Sequence, residues 1–214
     1  MLELGVKVLI AYLIGSLLGS LILGRMRGVD IRALGSGNAG ATNALRTQGA
    51  WFGLLVLLFD MGKGAWVVWW LPAAVLPGIG ADPGVSREWL SLACGMSVIV
   101  GHVYPVWFGF RGGKGAATVV GVVAAVDWHL LPPLVLIWFA VLLLTGFVGL
   151  ATMISALALV AAAYFLEPND GPLLVFCIGV AAFVILNHRS NIARMVAGRE
   201  NRVRRLWLFR SRAA

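Results

Sequence analysis

Long apolar runs alternate with short polar, glycine-rich segments along the whole chain, and this alternation predicts its elements. A helix needs about 20 predominantly apolar residues to cross the hydrocarbon core of a bilayer. Several runs reach that length, so we predict an all-α, polytopic integral membrane protein with about seven transmembrane helices. The predicted spans are residues 4–24, 50–71, 89–104 and 116–126, two more within 128–166, and a last one over 172–186.

Two stretches need further argument. Residues 128–166 contain no Asp, Glu, Lys or Arg and are about twice as long as one span needs, so we place a break at residues 145–149. Residues 116–126 are apolar but brief, and are expected to form a short or tilted fourth span. In the first span, Gly15 and Gly19 are spaced to let another helix approach closely.

Composition supports the membrane assignment. The 214 residues are 60% hydrophobic and 12% charged, whereas a soluble domain carries about 25% charged residues. Cys94 and Cys177 lie inside apolar runs, so we interpret them as packing residues rather than a disulfide or a metal site.

The first residues lack a basic leader and a small-residue cleavage site, and we expect them to start the first span. We expect residues 1–214 to form one membrane-embedded domain, as a monomer or a weak oligomer.

The basic residues predict the orientation in the membrane. With seven spans, residues 25–48, residues 105–115 and the tail from residue 187 share one side, and they hold four, two and eight of the 17 lysines and arginines. Only Lys7 and Arg87 lie opposite. Cytoplasmic loops are rich in basic residues, so the shared side is cytoplasmic, with the N-terminus outside and the C-terminus inside. The net charge of +8 then reflects topology and attraction to anionic headgroups, and no nucleic-acid partner is expected.

Residues 35–46 combine small, hydrogen-bonding and basic residues between two apolar spans. Residues 35–40 match G-x-G-x-x-G, but a dinucleotide fold needs a strand before that motif, and here a membrane span precedes it. Glycines still let a phosphate approach main-chain N–H groups, and a helix N-terminus favours an anion. The segment therefore predicts a phosphate site, the alternative being a plain loop with helix caps. Its candidate ligands are Ser36, Gly37, Asn38, Gly40, Thr42, Asn43 and Arg46.

The second polar segment is residues 101–118. It is similar to a P-loop, but the spacing of its glycines departs from that pattern, so ATP binding is not inferred. Lys114 between glycines at the start of an apolar helix is still a good phosphate ligand. The aromatic residues within 107–110 are expected beside acyl chains or in an ordinary aromatic belt, and His102 is either structural or functional. The candidate phosphate ligands are Gly112, Gly113, Lys114, Gly115 and Thr118.

The third polar segment, residues 187–194, directly follows the last span. If it is helical, His188 and Asn191 share a face. A histidine at the membrane edge can serve as a general base, a general acid or a phosphate ligand, and Arg194 adds a cation. The alternative is a snorkelling basic flank, which describes residues 199–212.

Asp60 and Lys63 lie three residues apart inside the second span. Ionisable residues within a span are expensive and usually functional, and a structural salt bridge is the alternative. The three histidines are scattered and no carboxylates cluster near them, so neither a metal nor a cofactor is predicted. The residues thus indicate a membrane protein with a cytoplasmic site for one or more phosphates, near acyl chains.

Together these segments resemble the bacterial acyl-phosphate:glycerol-3-phosphate acyltransferase family, often called PlsY. Three of its motifs occur in order, within residues 36–46, 101–118 and 188–201, and residues 60–64 are similar to its second-span feature. The resemblance covers nearly the whole chain. It implies a seven-helix fold in the bacterial cytoplasmic (inner) membrane, with the active site on the cytoplasmic face.

The resemblance also implies a reaction. Acyl phosphate would donate its fatty acyl group to the sn-1 hydroxyl of glycerol-3-phosphate, giving lysophosphatidic acid and inorganic phosphate in phospholipid biosynthesis. ATP, acyl-CoA and acyl-carrier protein would not be the direct donor. We expect the catalytic residues to be Ser36, Lys114, His188 and Asn191. We expect the substrate-binding residues to be Gly37, Asn38, Gly40, Thr42, Asn43, Arg46, Gly112, Gly113, Gly115, Thr118 and Arg194.

This chemistry agrees with the residue inventory. Both substrates carry phosphates, so two anion sites are needed. We expect Lys114 and the glycine amides to neutralise the departing phosphate, and Ser36 and Asn38 to support an oxyanion. His188 is expected to orient glycerol-3-phosphate first and to act as general base second, while a substrate phosphate is the other candidate to take the proton.

Two other functions remain as alternatives. A transporter or channel for a phosphorylated solute would also need a basic, glycine-rich site, but transporters usually have paired repeats and a midplane site, and the sequence shows no clear internal repeat. A membrane scaffold would leave the density of serine, asparagine and glycine unexplained.

Overall fold

The computed structural model describes residues 1–203 and Leu208, and residues 204–207 and 209–214 of the predicted basic tail lie outside the described part. Within the described residues the regular elements are helical, and one isolated bridge joins Leu76 to Ile79. The α-helices are α1 (Leu2–Gly15), α2 (Gly19–Met26), α3 (Ala41–Gln48), α4 (Ala50–Trp70), α5 (Arg87–Val103), α6 (Ala116–Val126), α7 (Leu131–Thr145), α8 (Val148–Leu166), α9 (Gly171–Asn187) and α10 (Arg189–Val196). Short 3₁₀ turns cover Ile31–Ala33, Val106–Phe108 and Trp128–Leu130.

Local signals explain several helix boundaries. The Ser86 side chain accepts a hydrogen bond from the N–H of Trp89 at the start of α5, and the Asp170 side chain accepts one from Leu173 at the start of α9. Such caps satisfy N–H groups that the first helical turn leaves unpaired. Gly146 ends α7 at φ +75°, a conformation that favours glycine, so the predicted break within residues 145–149 is confirmed.

The all-helical prediction is confirmed, and so is the presence of several membrane-length apolar helices. Four helical segments are long and apolar enough to cross a membrane, or up to six if each of two bent pairs counts as one span. α6 has 11 residues and is therefore about 16 Å long, roughly half the hydrocarbon thickness. Seven crossings and the orientation of the termini stay predictions.

The first predicted span, residues 4–24, is not one straight helix. α1 and α2 are separated at residues 16–18 and bend by 43°. A hydropathy pattern does not detect this break, because the interrupted residues remain apolar or small. The backbone groups freed there hydrogen-bond to side chains of α4.

The described residues cluster into two compact units, Met1–Asp127 and the described residues from Trp128 onward. The first contains α1–α6 and the second α7–α10. The expectation of a single domain stays a prediction. Cys94 in the first unit and Cys177 in the second are buried and form no disulfide, which agrees with their interpretation as packing residues.

In the first unit, glycines allow close contact between helices. A Cβ on Gly15 would overlap the backbone of Val98 in α5, and one on Gly19 would lie 3.1 Å from Cβ of Phe59 in α4. The predicted small-residue contact surface of the first span is thus confirmed, and it faces two different helices. α4 and α6 approach in the same way, because Gly121 packs against the backbone of Met61.

An ionic network ties together one end of the first unit. Glu3 accepts hydrogen bonds from both terminal nitrogens of Arg87 (2.6 and 2.7 Å) and from Lys7 Nζ (2.9 Å). Lys7 Nζ also donates to the Pro72 carbonyl at 2.8 Å, just after α4 ends. The starts of α1 and α5 therefore lie beside the end of α4. The residues that follow α1 and α5, and those that precede α4, belong to the opposite end of this unit, where the first two polar segments lie.

Candidate functional site

Asn43 builds the loop that contains the first polar segment. Its side chain is 1% exposed. Its Nδ2 donates to the carbonyls of Ile31 (3.1 Å) and Leu34 (2.9 Å), and its Oδ1 accepts from the Ser36 N–H (2.9 Å). Both amide protons and one oxygen lone pair are therefore used inside the protein. The structure places Asn43 as a residue that shapes the loop, whereas the sequence pattern predicted a substrate ligand.

The other candidates of this segment lie at or near the surface. Ser36, Gly37, Thr42 and Arg46 are exposed, and Asn38 and Gly40 are half-buried. Gly40 is the N-cap residue of α3 and supplies no side-chain cap. The first-turn N–H groups and the positive end of the α3 dipole therefore lie beside these polar side chains, which is an arrangement that favours an anion.

The loop is attached to α2. Ser20 Oγ donates to the Ala39 carbonyl at 2.6 Å, and Ala39 is fully buried. Ala39 packs with Leu18 and Leu21, and Phe108 of the second polar segment covers the same cluster. The two polar segments are thus neighbours within the first unit.

Arg32 links the two segments directly. Its Nη1 donates to the carbonyls of Phe108 (2.9 Å) and Arg111 (3.2 Å), and its Nη2 pairs with Asp30 Oδ2 at 2.9 Å. The hydrogen bond from the Arg32 guanidinium lowers the pKa of the Asp30 carboxyl below its usual value. From the sequence, Arg32 is predicted only as one of the basic residues that set the orientation in the membrane. Its contact with the second segment could not be predicted, because Phe108 lies 76 residues further along the chain.

The second polar segment folds back along the end of α5. The Gly112 N–H donates to the Val103 carbonyl and the Gly113 N–H to the His102 carbonyl, both at 3.1 Å. These two N–H groups therefore already have partners, contrary to the expectation that glycine amides here receive a phosphate. Glycine is needed for another reason, since a Cβ on Gly112 would overlap the His102 carbonyl and one on Gly113 would overlap its ring.

Lys114 is half-buried and directly precedes Gly115, the N-cap residue of α6, which has φ +86°. Lys114 thus lies where the prediction placed it, at the entry to an apolar helix. Thr118, one turn later, is completely buried and packs against Gly64 of α4. Packing between α4 and α6 explains its small size but not its hydroxyl, which has no hydrogen-bond partner among the described residues. Its contact with substrate stays a prediction.

The aromatic residues of this segment divide into two kinds. Trp107 and Phe110 are exposed, at 56% and 58%, whereas Phe108 is half-buried in the cluster around Ala39. Trp107 Nε1 donates to the Leu13 carbonyl at 3.1 Å. The exposed pair suits either a contact with acyl chains or an aromatic belt.

Asp60, Lys63 and His102 form a buried cluster, with relative exposures of 0%, 8% and 2%. Lys63 Nζ lies 3.1 Å from Asp60 Oδ1 and 3.0 Å from His102 Nδ1. Asp60 and Lys63 of α4 therefore form an ion pair, as one of the two expectations for them states. The sequence did not indicate that His102 completes the cluster, because it lies 39 residues further along the chain.

In the second unit, His188 lies at the 51° bend between α9 and α10 and is 4% exposed. Its Nδ1 is 2.8 Å from the Val184 carbonyl. A carbonyl only accepts, so we assign the ring proton to Nδ1, which leaves Nε2 as the acceptor nitrogen. Asn191 is 8% exposed and lies in the first turn of α10, and His188 is the N-cap residue of that helix.

Glu200 orients two of the predicted site residues of the second unit. Its carboxylate accepts from Asn191 Nδ2 at 2.7 Å and from Arg194 Nε at 2.6 Å. From the sequence, Glu200 is part of the motif within residues 188–201 and has no predicted role. Its position just after α10 was the available signal, because a carboxylate six residues after an arginine can reach back to it where a helix ends.

The model of the glycerol-3-phosphate acyltransferase family matches residues 6–198. The glycerol-3-phosphate acyltransferase of Aquifex aeolicus (strain VF5) is 38% identical over 198 residues, which are 91% of this chain and 96% of the relative. That of Laribacter hongkongensis (strain HLHK9) is 39% identical over 198 residues, 92% of this chain and 94% of the relative.

A crystal structure has a similar fold. It is that of PlsY, an integral membrane glycerol 3-phosphate acyltransferase, in its glycerol 3-phosphate form. The TM-score is 0.80 at 36% identity, and the match covers 93% of this chain and 94% of that chain. The lysophosphatidic acid form of the same protein matches with a TM-score of 0.78 at 35% identity.

Proposed function

Since the chain belongs to the glycerol-3-phosphate acyltransferase family of integral membrane enzymes typified by PlsY, we propose that it transfers a fatty acyl group from acyl phosphate to the sn-1 hydroxyl of glycerol-3-phosphate. The products are lysophosphatidic acid and inorganic phosphate. The enzyme works in the bacterial cytoplasmic membrane, with its N-terminus outside and its site at the cytoplasmic face, where the positive-inside rule puts the basic segments.

One observation carries this proposal. In the first unit, Arg32 and the cluster around Ala39 join a loop of hydrogen-bond donors to the segment that contains Lys114. The loop exposes Ser36 and leads into the start of α3, and α3 carries the exposed Arg46. Such a surface suits substrates whose reacting groups are phosphates, and exposed aromatic residues beside it suit an acyl chain.

The reaction requires one bond to form and one to break. The sn-1 hydroxyl oxygen attacks the carbonyl carbon of acyl phosphate, and the bond from that carbon to the phosphate oxygen breaks. Phosphate leaves with the electron pair of the broken bond. The hydroxyl proton passes to His188 or to a substrate phosphate. Because acyl phosphate is already activated, the enzyme mainly stabilises the departing phosphate and the transient oxyanion.

The residues of the first unit divide between the two substrates. Lys114 neutralises the departing phosphate, and Ser36 and Asn38 donate to the oxyanion. Arg46 and Thr42, both in α3, bind the phosphate of glycerol-3-phosphate. A guanidinium matches a phosphate with two parallel hydrogen bonds, which supports this role for Arg46. Gly37 and Gly40 let the substrate approach the backbone of the loop.

The residues of the second unit act on the acceptor. His188 orients glycerol-3-phosphate, with general-base catalysis as its second role. The assignment of its ring proton to Nδ1 supports both roles, since Nε2 can then accept from a hydroxyl. Asn191 and Arg194, held by Glu200, bind the same substrate.

The deciding experiment is an assay of the purified protein with palmitoyl phosphate and glycerol-3-phosphate, reading the release of phosphate. We expect release that depends on glycerol-3-phosphate and yields lysophosphatidic acid. Palmitoyl-CoA in place of palmitoyl phosphate should give no product. Absence of phosphate release with palmitoyl phosphate would contradict acyl phosphate as the donor. Formation of lysophosphatidic acid from palmitoyl-CoA would identify acyl-CoA as the donor instead.

His188→Gln separates the two roles of the histidine. If His188 orients the acceptor, the variant should keep most of kcat and show a KM for glycerol-3-phosphate raised about tenfold. A glutamine amide can still hydrogen-bond to the substrate, but its position is less suitable than that of the imidazole. Steady-state kinetics at varied glycerol-3-phosphate would check this. A fall of about 10²-fold in kcat at an unchanged KM would instead identify a general base. Ser190→Ala, an exposed neighbour in α10, is the matched control.

A further inference from the structure

The break between α1 and α2 leaves backbone groups that need partners. Lys63 Nζ, in α4, donates to the carbonyls of Gly15 (2.9 Å) and Leu17 (2.7 Å). The Gly19 N–H, which begins α2, donates to Asp60 Oδ1 at 3.2 Å. The Lys63–Asp60 pair therefore caps both sides of the break. The Lys63 ammonium and Asp60 Oδ1 are thus hydrogen-bonded to the backbone, which offsets part of the cost of burying the pair, while Asp60 Oδ2 has no hydrogen-bond partner among the described residues.

His102 extends this pair toward Lys114. With two N–H groups of Lys63 on the Gly15 and Leu17 carbonyls, the third is shared between His102 Nδ1 at 3.0 Å and Asp60 Oδ1 at 3.1 Å. An ammonium only donates, so His102 Nδ1 accepts and the ring proton is assigned to Nε2. The Nε2 edge of the ring lies against Gly113, where a Cβ would overlap it. The Gly113 N–H also donates to the His102 carbonyl. The residue before Lys114 is thus fixed by both the ring and the backbone of His102.

The same cluster reaches the first polar segment through α2. Gly19, bound by Asp60, is followed by Ser20, whose hydroxyl holds the Ala39 carbonyl at 2.6 Å. Ala39 belongs to the loop that carries Ser36. The buried cluster is therefore linked to both phosphate-binding segments of the first unit by short, directional contacts.

We propose that Asp60, Lys63 and His102 are positioning residues for the acyl transfer, holding Lys114 and the Ser36 loop in their working geometry. They do so from the interior, since none of the three is more than 8% exposed. A displacement of about 1 Å at a reacting group can cost about 10²-fold in rate, so we expect a loss of turnover in the molecules that remain folded. This inference rests on the proposed acyltransferase function.

The chain offers a matched control for the ammonium. Lys7 is also buried, also pairs with a carboxylate and also donates to a main-chain carbonyl, but at the opposite end of the unit. Lys63→Met should lower kcat per folded molecule by tenfold or more, whereas Lys7→Met should leave kcat within twofold. Both variants should have a lower melting temperature. Phosphate release and thermal unfolding of the detergent-purified protein measure the two effects.

A second pair of variants tests His102 by rescue. In His102→Asn the amide oxygen can replace Nδ1 as the acceptor for Lys63, so kcat should stay within threefold of wild type. His102→Leu has similar bulk without an acceptor and should lose tenfold or more. A merely structural role would give both variants the same kcat per folded molecule. This pair decides the question if Lys63→Met does not fold.

Hydrogen exchange provides a readout that needs no turnover. The amides of Gly112 and Gly113 should exchange at least tenfold faster in His102→Leu than in His102→Asn. Wild-type kcat per folded molecule in Lys63→Met and His102→Leu would overturn the inference while leaving the proposed function intact. If the wild-type protein shows no transfer, the proposed function fails, and equal exchange in the two His102 variants would then overturn the positioning of this segment as well.

Discussion

Replacing Lys114 with alanine is expected to lower kcat by about 10²- to 10³-fold, the range seen when a preorganised group that stabilises developing charge is removed. The phosphate that leaves acyl phosphate gains negative charge as the bond to the carbonyl carbon breaks, and a cation held beside it is most effective at that moment. The backbone that carries Lys114 is fixed on both sides, by the Gly113 hydrogen bond to α5 and by Gly115 at the start of α6. Phosphate release at saturating concentrations of both substrates measures the effect.

Two variants control this experiment. Arg111→Ala removes an exposed cation three residues earlier, and we expect less than a threefold change because Arg111 bonds Arg32 through its main-chain carbonyl, which the substitution keeps. Lys114→Arg keeps the charge but changes the shape of the group, so an intermediate rate is expected. If Lys114→Ala turned over at the wild-type rate, Lys114 would not act on the leaving phosphate.

The second large effect is expected at Arg46. Arg46→Ala should lower kcat/KM for glycerol-3-phosphate by about 10²-fold, equivalent to about 2.7 kcal/mol of lost transition-state stabilisation. Turnover would then nearly vanish at ordinary substrate concentrations. Arg46 is exposed in the last turn of α3, so its loss should leave the melting temperature within about 2 °C, since surface substitutions usually change stability by less than 0.5 kcal/mol. Kinetics at varied glycerol-3-phosphate and a thermal scan together check this.

Arg25→Ala is the matched control for Arg46. Arg25 is another exposed arginine close by in sequence, at the end of α2, and its loss should change kcat/KM less than threefold. Arg46→Lys should recover only part of the activity, because an ammonium does not form two parallel hydrogen bonds with a phosphate. A kcat/KM for Arg46→Ala near that of Arg25→Ala would mean that general surface charge, rather than this residue, attracts the substrate.

Most helix positions were predictable from hydropathy. The predicted spans over residues 50–71 and 89–104 correspond closely to α4 and α5. The break between α7 and α8 followed from glycines at residues 145–149, whose conformational freedom is a local property of the chain. The break between α1 and α2 was missed because residues 16–18 are no more polar than the helices around them.

The site was predicted less completely. Ser36 and Arg46 lie at the surface as expected, but Asn43 turns inward to shape the loop and Thr118 packs against α4. A side chain with hydrogen-bonding groups looks the same in a sequence whether it faces a ligand or a neighbouring loop. The sequence could therefore supply the chemical groups of the site but not their directions.

By itself, the sequence determined the class of the protein, its apolar helices and the polar segments that identify its family, because hydropathy, glycine content and motif order are properties of neighbouring residues. The tertiary structure alone decided which groups meet. Lys63 and His102, Arg32 and Phe108, and Asn191 and Glu200 become partners only when helices and loops pack. A hydrogen bond needs its two atoms within about 3 Å in a suitable direction, and for residues separated by 39 or 76 positions along the chain that geometry comes from packing.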